Sequence, residues 1–175
     1  MKTKIFLIAV LLQCALSSYS QELNKKTTDS VSGKEILIGL CDLNGFKTVD
    51  FIDSYTNEYE GYKPNIMILE KIDSLLKLKE NENIKIKVIL GTWCSDSKIQ
   101  IPRFIKIFNI IKYNPENIEF ICVNRNKKAG NLPVTDLKIE KNPTFIVFNN
   151  AKEKGRIVET PGKTLEEDLL KILVR

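Results

Sequence analysis

The segment around Cys94 has the residue types and spacing that could carry out chemistry. Residues 91–97, GTWCSDS, join an apolar stretch at 84–90 to a segment with helical periodicity. A cysteine at a helix N-terminus faces unpaired backbone N–H groups and the positive end of the helix dipole, and both stabilise a thiolate. The pattern therefore predicts a nucleophilic Cys94, with Trp93 beside it as an apolar wall for a docking polypeptide.

The composition excludes several classes of enzyme. The chain has 175 residues, four cysteines and no histidine, and this length is typical of one domain. Without histidine there is no Ser–His–Asp or Cys–His catalysis, no zinc site with imidazole ligands and no histidine-bound haem. One motif thiol leaves too few soft ligands for a metal, so neither a metal site nor a cofactor is expected. The scattered net charge of +5 argues against a nucleic-acid partner.

The first twenty residues are predicted to be a secretory signal. Two lysines precede an apolar run at 5–12, and the small residues of Ser18-Tyr19-Ser20 favour cleavage after Ser20. One alternative is a membrane anchor, but the run is shorter than the roughly 20 residues that a spanning helix needs. Another is a lipoprotein, since residues 11–14 loosely resemble a lipobox, although Gln13 fits poorly before Cys14. We therefore expect a periplasmic or secreted protein with no stable membrane span.

Three cysteines remain after such a cleavage: Cys41, Cys94 and Cys122. Structural disulfides are expected outside the reducing cytosol, and an odd number leaves at least one thiol over or paired with another molecule. Cys122 falls in a predicted strand, where a buried, inert thiol is the plain interpretation. Cys41 or Cys122 acting as a resolving thiol, and a structural disulfide between them, both stay open at this point.

The remaining chain predicts a mobile leader over 21–34 and one α/β domain over 35–175. The leader is polar and lacks apolar periodicity. The domain reads as a strand, an aromatic segment, then a helix after Pro64, a strand, a helix, three strands and a final helix with a capping box. Strands are expected at 35–40, 84–90, 118–123, 144–148 and 155–159, and helices at 64–76, 98–112 and from 164 onward. The aromatic segment covers 46–62.

Four features in this order resemble the thioredoxin superfamily. They are the apolar strand, the Trp93-Cys94 motif, Pro102 five residues after the motif, and Asn142-Pro143-Thr144 before a later strand. More narrowly, the chain looks like secreted bacterial thioredoxin-like proteins with an added N-terminal segment. The resemblance implies a central mixed sheet flanked by helices, with an N-terminal strand and helix extension. It also implies a cis Pro143 opposite Cys94, with Asn142 pairing with substrate and residues 142–144 and Trp93 forming the substrate platform.

Two departures from that family concern the second thiol. Ser97 stands where dithiol members have their resolving cysteine, giving a Cys-x-x-Ser motif. A serine cannot release a mixed disulfide, so an adduct on Cys94 needs an outside thiol; Ser97 is instead expected to donate a hydrogen bond to the thiolate. Val88 occupies the place where many dithiol members carry a buried carboxylate that assists the second cysteine.

These observations support two functions. The first is a monothiol thiol–disulfide exchange protein, with Cys94 as the nucleophile and Ser97 as the hydrogen-bond donor to its thiolate. Its partners would be exported proteins that carry thiols or disulfides, or small thiols. The second is a redox-inactive binding module that uses the same groove for a peptide or protein. Ser97 keeps the second hypothesis open, since fold alone does not fix function.

Overall fold

A computed structural model describes residues 22–175 of the chain. The predicted signal peptide at 1–20, including Cys14, lies outside the described residues. The strands are β1 Lys26–Thr28, β2 Glu35–Leu37, β3 Gly39–Cys41, β4 Ile84–Leu90, β5 Ile118–Cys122, β6 Thr144–Asn149 and β7 Lys152–Val158. The α-helices are α1 Leu43–Phe46, α2 Ile52–Gly61, α3 Ile66–Leu76, α4 Ser95–Ile110 and α5 Leu165–Leu173.

The central sheet is mixed and has five strands in the order β3-β5-β4-β6-β7. Among the strands of residues 22–175, only the β4–β5 pair is parallel, whereas β3, β6 and β7 join antiparallel. The element order β4-α4-β5, then β6-β7-α5, is the β-α-β…β-β-α order that the resemblance implies. The expected thioredoxin-like α/β fold with a central mixed sheet is therefore confirmed.

The two faces of the sheet are covered differently. Alternate residues of β4, beginning at Ile84, pack against apolar side chains of all five helices in one large core. The opposite face, which includes Ile89, packs against the connection 123–143 between β5 and β6 in a smaller core. This alternation follows from the strand period of two. The continuously apolar end of β4, at 88–90, is buried on both faces, as its sequence predicts.

The single strand expected over 35–40 is two strands in the structure. β2 pairs with β1, whereas β3 pairs with β5 in the main sheet. The chain changes partner at Gly39, whose φ of +85° lies in the left-handed region that glycine adopts without strain. Periodicity could not show this break, because the apolar run continues through it.

The segment expected to be a mobile leader contains a short strand within its described residues, 22–34. β1 pairs with β2 as a two-stranded antiparallel sheet, and the Asp29 side chain that follows β1 is buried. Polar side chains of this segment, Asn24 and Asp29, contact Asp42 and Arg125 of the domain.

The last helix begins at the capping residue that the sequence predicts. Thr164 accepts a hydrogen bond from the Glu167 N–H and caps α5. α4 contains Pro102, and its buried face includes Ile101, Phe104 and Phe108 as the spacing predicts. Within residues 22–175, no helix is long and apolar enough to cross a membrane.

Candidate functional site

Cys94 lies at the junction of β4 and α4. It is the N-cap residue of α4, with extended backbone angles, and no side chain caps that helix end. The first N–H groups of a helix have no intrahelical partner, so the sulfur sits beside donors that favour a thiolate. Cys94 is the free cysteine of the described residues and is partly exposed.

The loop before β6 faces Cys94 across the site. The Asn142–Pro143 peptide bond is cis, and Cys94 Sγ lies 3.3 Å from the Asn142 carbonyl oxygen, to which the thiol donates. The structure thus brings Cys94 and the cis-proline loop together as the resemblance implies. This contact favours the protonated thiol, while the helix N-terminus favours the thiolate, so the two act in opposite directions on the sulfur.

Thr144 contributes no exposed side chain to the site. It is buried, and its hydroxyl donates to the Lys141 carbonyl at 2.7 Å. The Pro143 carbonyl accepts a hydrogen bond from the Glu159 N–H. Of residues 142–144, the Asn142 carbonyl is thus the group that faces Cys94, and Thr144 braces the loop from below.

Charged groups border the same loop. Lys141 forms an ion pair with Glu159, and the hydrogen bond from Glu159 is the main reason that the pKa of Lys141 is raised, with a smaller contribution from Asp96. Asp96 lies in the first turn of α4, where the helix dipole stabilises a carboxylate. The rim of the site therefore carries both signs of charge.

Trp93 is fixed by the backbone around it. Its indole N–H donates to the Val123 carbonyl oxygen at 2.9 Å. A Cβ at Gly91 would lie 2.6 Å from the Trp93 indole nitrogen, so only glycine allows the ring to fold back over the motif turn. Trp93 is partly exposed, and this leaves it as a rigid apolar surface next to Cys94.

Ser97 is committed to the backbone of the motif. Its side chain is fully buried, and its hydroxyl accepts a hydrogen bond from the Gly91 N–H at 3.3 Å. The expected hydrogen bond from Ser97 to the Cys94 sulfur is not among the contacts of residues 22–175. Val88 is buried in β4, so an apolar side chain does occupy the position that the family comparison singles out.

The other two described cysteines form a disulfide. Cys41 at the end of β3 and Cys122 at the end of β5 are joined, with their Cα atoms 6.5 Å apart. Both lie in the core that the helices cover. This pairing decides among the alternatives that the sequence left open, and in this state neither cysteine is a free resolving thiol.

A polar arrangement beside the motif has no counterpart in the sequence prediction. Arg125, in the connection after β5, lies over the Trp93 ring with its guanidinium carbon 4.5 Å from the ring centroid. Arg125 also donates two hydrogen bonds to Asp29, at 2.8 and 2.9 Å. Asp29 and Arg125 are 96 residues apart in the sequence, so no local sequence pattern predicts their contact. A small cavity of about 180 Å³ lies beside Trp93 and Arg125.

No group of three or more Cys, Asp or Glu side chains within residues 22–175 is arranged to hold a metal ion. The donors at the site are one thiol, backbone groups and a buried hydroxyl. Among these groups, the one that can act as a nucleophile is the Cys94 sulfur.

The chain is similar to several proteins of known structure, at low sequence identity. No known family profile matches the chain, and no curated protein matches its sequence. A protein of unknown function from Pseudomonas aeruginosa is 16% identical over 71% of this chain and 84% of that chain, with a TM-score of 0.49. A reduced thioredoxin pre-protein from Schistosoma mansoni is 26% identical over 58% of this chain and 89% of that chain, with a TM-score of 0.39. Thioredoxin f2 from Chlamydomonas reinhardtii is 19% identical over 59% of this chain and 88% of that chain, with a TM-score of 0.38.

Proposed function

We propose that this protein performs monothiol thiol–disulfide exchange through Cys94 in an extracytoplasmic compartment. The observation that carries the proposal is the position of its sulfur, at an uncapped helix N-terminus and opposite the Asn142 carbonyl. The Cys41–Cys122 disulfide supports the compartment, because disulfides persist in oxidising surroundings. The signal peptide predicted at 1–20 supports it as well.

The proposed reaction has two balanced steps. The Cys94 thiol first gives its proton to solvent, and the thiolate attacks one sulfur of a client disulfide. A bond forms between Cys94 Sγ and that sulfur, the client S–S bond breaks, and the other client sulfur leaves as a thiolate. An external thiol then gives its proton to solvent and attacks the client sulfur of the mixed disulfide. A disulfide forms between these two sulfurs, the bond from the client sulfur to Cys94 Sγ breaks, and Cys94 leaves as a thiolate. Ser97 cannot perform this second step, and Cys41 and Cys122 are already paired.

The platform for a client would be the surface between Trp93 and the loop at Asn142-Pro143. Trp93 is held rigid by Val123 and offers an apolar face, and the Asn142 carbonyl is already placed against Cys94. An extended client segment that lies here would bring its disulfide to the exposed side of Cys94. Clients would thus be exported proteins with disulfides or thiols, or small disulfides and thiols.

The test is to incubate the protein with oxidised glutathione and to locate the adduct by mass spectrometry. We expect one glutathione on Cys94, formed about tenfold or more faster than on an unfolded cysteine peptide at the same pH. Added free thiol should release it, and Cys94→Ser should form no adduct while keeping its far-UV circular dichroism spectrum.

A folded protein whose Cys94 forms no mixed disulfide, or forms one no faster than the peptide, would contradict the proposal. That outcome would favour the binding module instead. The specific observation on its side is that Ser97, at the motif's last position, is bonded to the Gly91 backbone and buried, so this position serves structure in the present chain.

A further inference from the structure

Residues 123–125 hold Trp93 at two points. The Val123 carbonyl accepts the indole hydrogen bond, and the Arg125 guanidinium lies over the ring at 4.5 Å. A guanidinium over an indole ring is attracted by the negative potential of the ring face. The ring next to Cys94 is therefore oriented by a cation as well as by a backbone carbonyl.

Asp29 fixes the guanidinium itself. The Asp29 residue is only 2% exposed, and its two carboxylate oxygens each accept one hydrogen bond from Arg125. The Ser32 N–H and hydroxyl also donate to Asp29. Hydrogen bonds from Arg125 and Ser32 hold the pKa of Asp29 well below its usual range. A paired fork of this kind restricts both the position and the plane of the guanidinium.

Arg125 lies close to the segment that carries the reactive sulfur, because its guanidinium is over the ring of Trp93, the residue directly before Cys94. The hydrogen bonds with Asp29 are the main cause that raises the pKa of Arg125, and the negative charge of a Cys94 thiolate is a smaller cause in the same direction. Attraction between a cation and an anion acts on both partners. With no histidine in the chain, Arg125 supplies a cation that remains charged at every working pH.

We infer that Arg125 is a positioning residue that orients Trp93 and favours the Cys94 thiolate, and that Asp29 of the N-terminal segment orients Arg125 for both tasks. The inference rests on the proposed role of Cys94 as the nucleophile. It makes the segment around β1 and β2 part of the site, since Asp29 lies between these strands. The cavity beside Trp93 and Arg125 is lined by the same segment through Ser32 and Lys34.

The experiment separates the charge of Arg125 from its geometry. The rate of Cys94 alkylation by iodoacetamide is measured against pH, and the adduct is located by mass spectrometry. For Arg125→Gln we expect a rate about threefold lower at neutral pH and a profile moved to higher pH, because a nearby cation is lost. Arg125→Lys keeps the charge and should stay within about twofold of the wild type.

The geometry is read from Trp93, which is the single tryptophan of the chain. Both Arg125→Lys and Asp29→Asn remove the paired hydrogen bonds, so acrylamide should quench Trp93 fluorescence more strongly in each than in the wild type. Arg103→Gln is the matched control, because Arg103 also lies over an aromatic ring, Tyr62, and pairs with a carboxylate, Glu58. It should change neither the alkylation profile nor the quenching.

An Arg125→Gln protein that is folded and alkylates like the wild type at every pH would overturn the inference. If that variant does not fold, an Arg125→Lys protein alkylated more than about threefold slower than the wild type would overturn it as well. Unchanged quenching in Asp29→Asn would overturn the role of Asp29. Alkylation needs no disulfide exchange, so these outcomes are independent of whether Cys94 reacts with disulfides.

Discussion

The two sulfur sites of this protein have opposite surroundings. The Cys41–Cys122 disulfide joins neighbouring strands inside the core that the helices cover. Cys94 lies at the start of a helix, partly exposed, with a carbonyl oxygen 3.3 Å away. The first site uses both sulfurs to form a covalent cross-link, whereas the second leaves one sulfur with a proton to lose. Position in the fold therefore gives the cysteine pair a structural role and leaves Cys94 as the free sulfur on which the proposed exchange depends.

Removing the cross-link should have the largest effect on stability. The disulfide closes a sequence separation of 81 residues, for which loss of loop closure predicts a decrease of about 4–5 kcal/mol in the free energy of unfolding. We expect this decrease in the double variant Cys41→Ala and Cys122→Ala, measured by urea denaturation at neutral pH.

The same double variant also tests whether the two sites are separate. Under conditions in which it remains folded, its Cys94 alkylation rate should stay within about twofold of the wild type, because Cys94 and Trp93 donate to backbone carbonyls that the two substitutions keep. If the free energy of unfolding falls by less than about 1 kcal/mol, the stabilising role of the disulfide is wrong. If the rate of Cys94 alkylation falls together with the free energy of unfolding, the two sites are not separate.

Placing a second sulfur in the motif should have the next largest effect. Ser97→Cys puts a thiol three residues after Cys94 on the same helix face, where it can attack a mixed disulfide on Cys94 without an external thiol. We expect reduction of insulin by dithiothreitol to proceed about tenfold or more faster than with the wild type.

Ser95→Cys is the matched control for this gain. It adds the same sulfur one residue after Cys94, where helical geometry turns it away from Cys94, and Ser95 is exposed. The two variants have equal numbers of thiols, so equal insulin reduction by both would contradict a resolving position at residue 97.

Acidic pH should have the smallest effect on the free energy of unfolding. This effect should come from Asp29, which holds Arg125 beside Trp93. Hydrogen bonds from Arg125 hold the pKa of Asp29 below its unfolded value of 3.8. The stabilisation by Asp29 is therefore complete above about pH 4 and is lost as pH falls toward the lower pKa of the folded state. In urea denaturation, the difference in unfolding free energy between the wild type and Asp29→Asn should be widest at pH 7 and should narrow below pH 4.

Two tyrosines provide a comparison with Asp29 at the alkaline end of the pH range. Tyr113 and Tyr55 pack against the core that the helices cover, where burial raises the pKa of each to about 12. Their folded pKa values exceed the unfolded value of 10.0, so their effect on stability begins only above pH 10. A difference between wild type and Asp29→Asn that stays constant from pH 7 to pH 3 would show that Asp29 does not titrate as its contacts indicate.

The sequence predicted the parts of the fold that depend on local patterns. The strand at 84–90 has the bounds that its alternating and then continuous apolar residues indicate. The helix after the motif ends at Ile110, close to the expected 112. The candidate site at Cys94 could be proposed because the stretch Gly91-Thr92-Trp93-Cys94 directly follows a buried strand, and that arrangement is local.

The remaining features depend on contacts between distant parts of the chain. The Asp29–Arg125 pair joins a polar segment to a loop 96 residues away, and neither residue stands out among its neighbours. Cys41 and Cys122 could be paired only once β3 and β5 were known to be adjacent. The break at Gly39 is a backbone event inside an unbroken apolar run, which side-chain periodicity does not report.

The contact between Cys94 and the Asn142 carbonyl has a consequence for the newly made chain. Asn142 follows Cys94 by 48 residues, so a ribosome has made the thiol well before it makes the loop that faces it. Closing such long-range contacts is a slow part of folding. An unfinished chain thus carries Cys94 without the loop at Asn142-Pro143, and the proposed client platform exists only after that loop has been made.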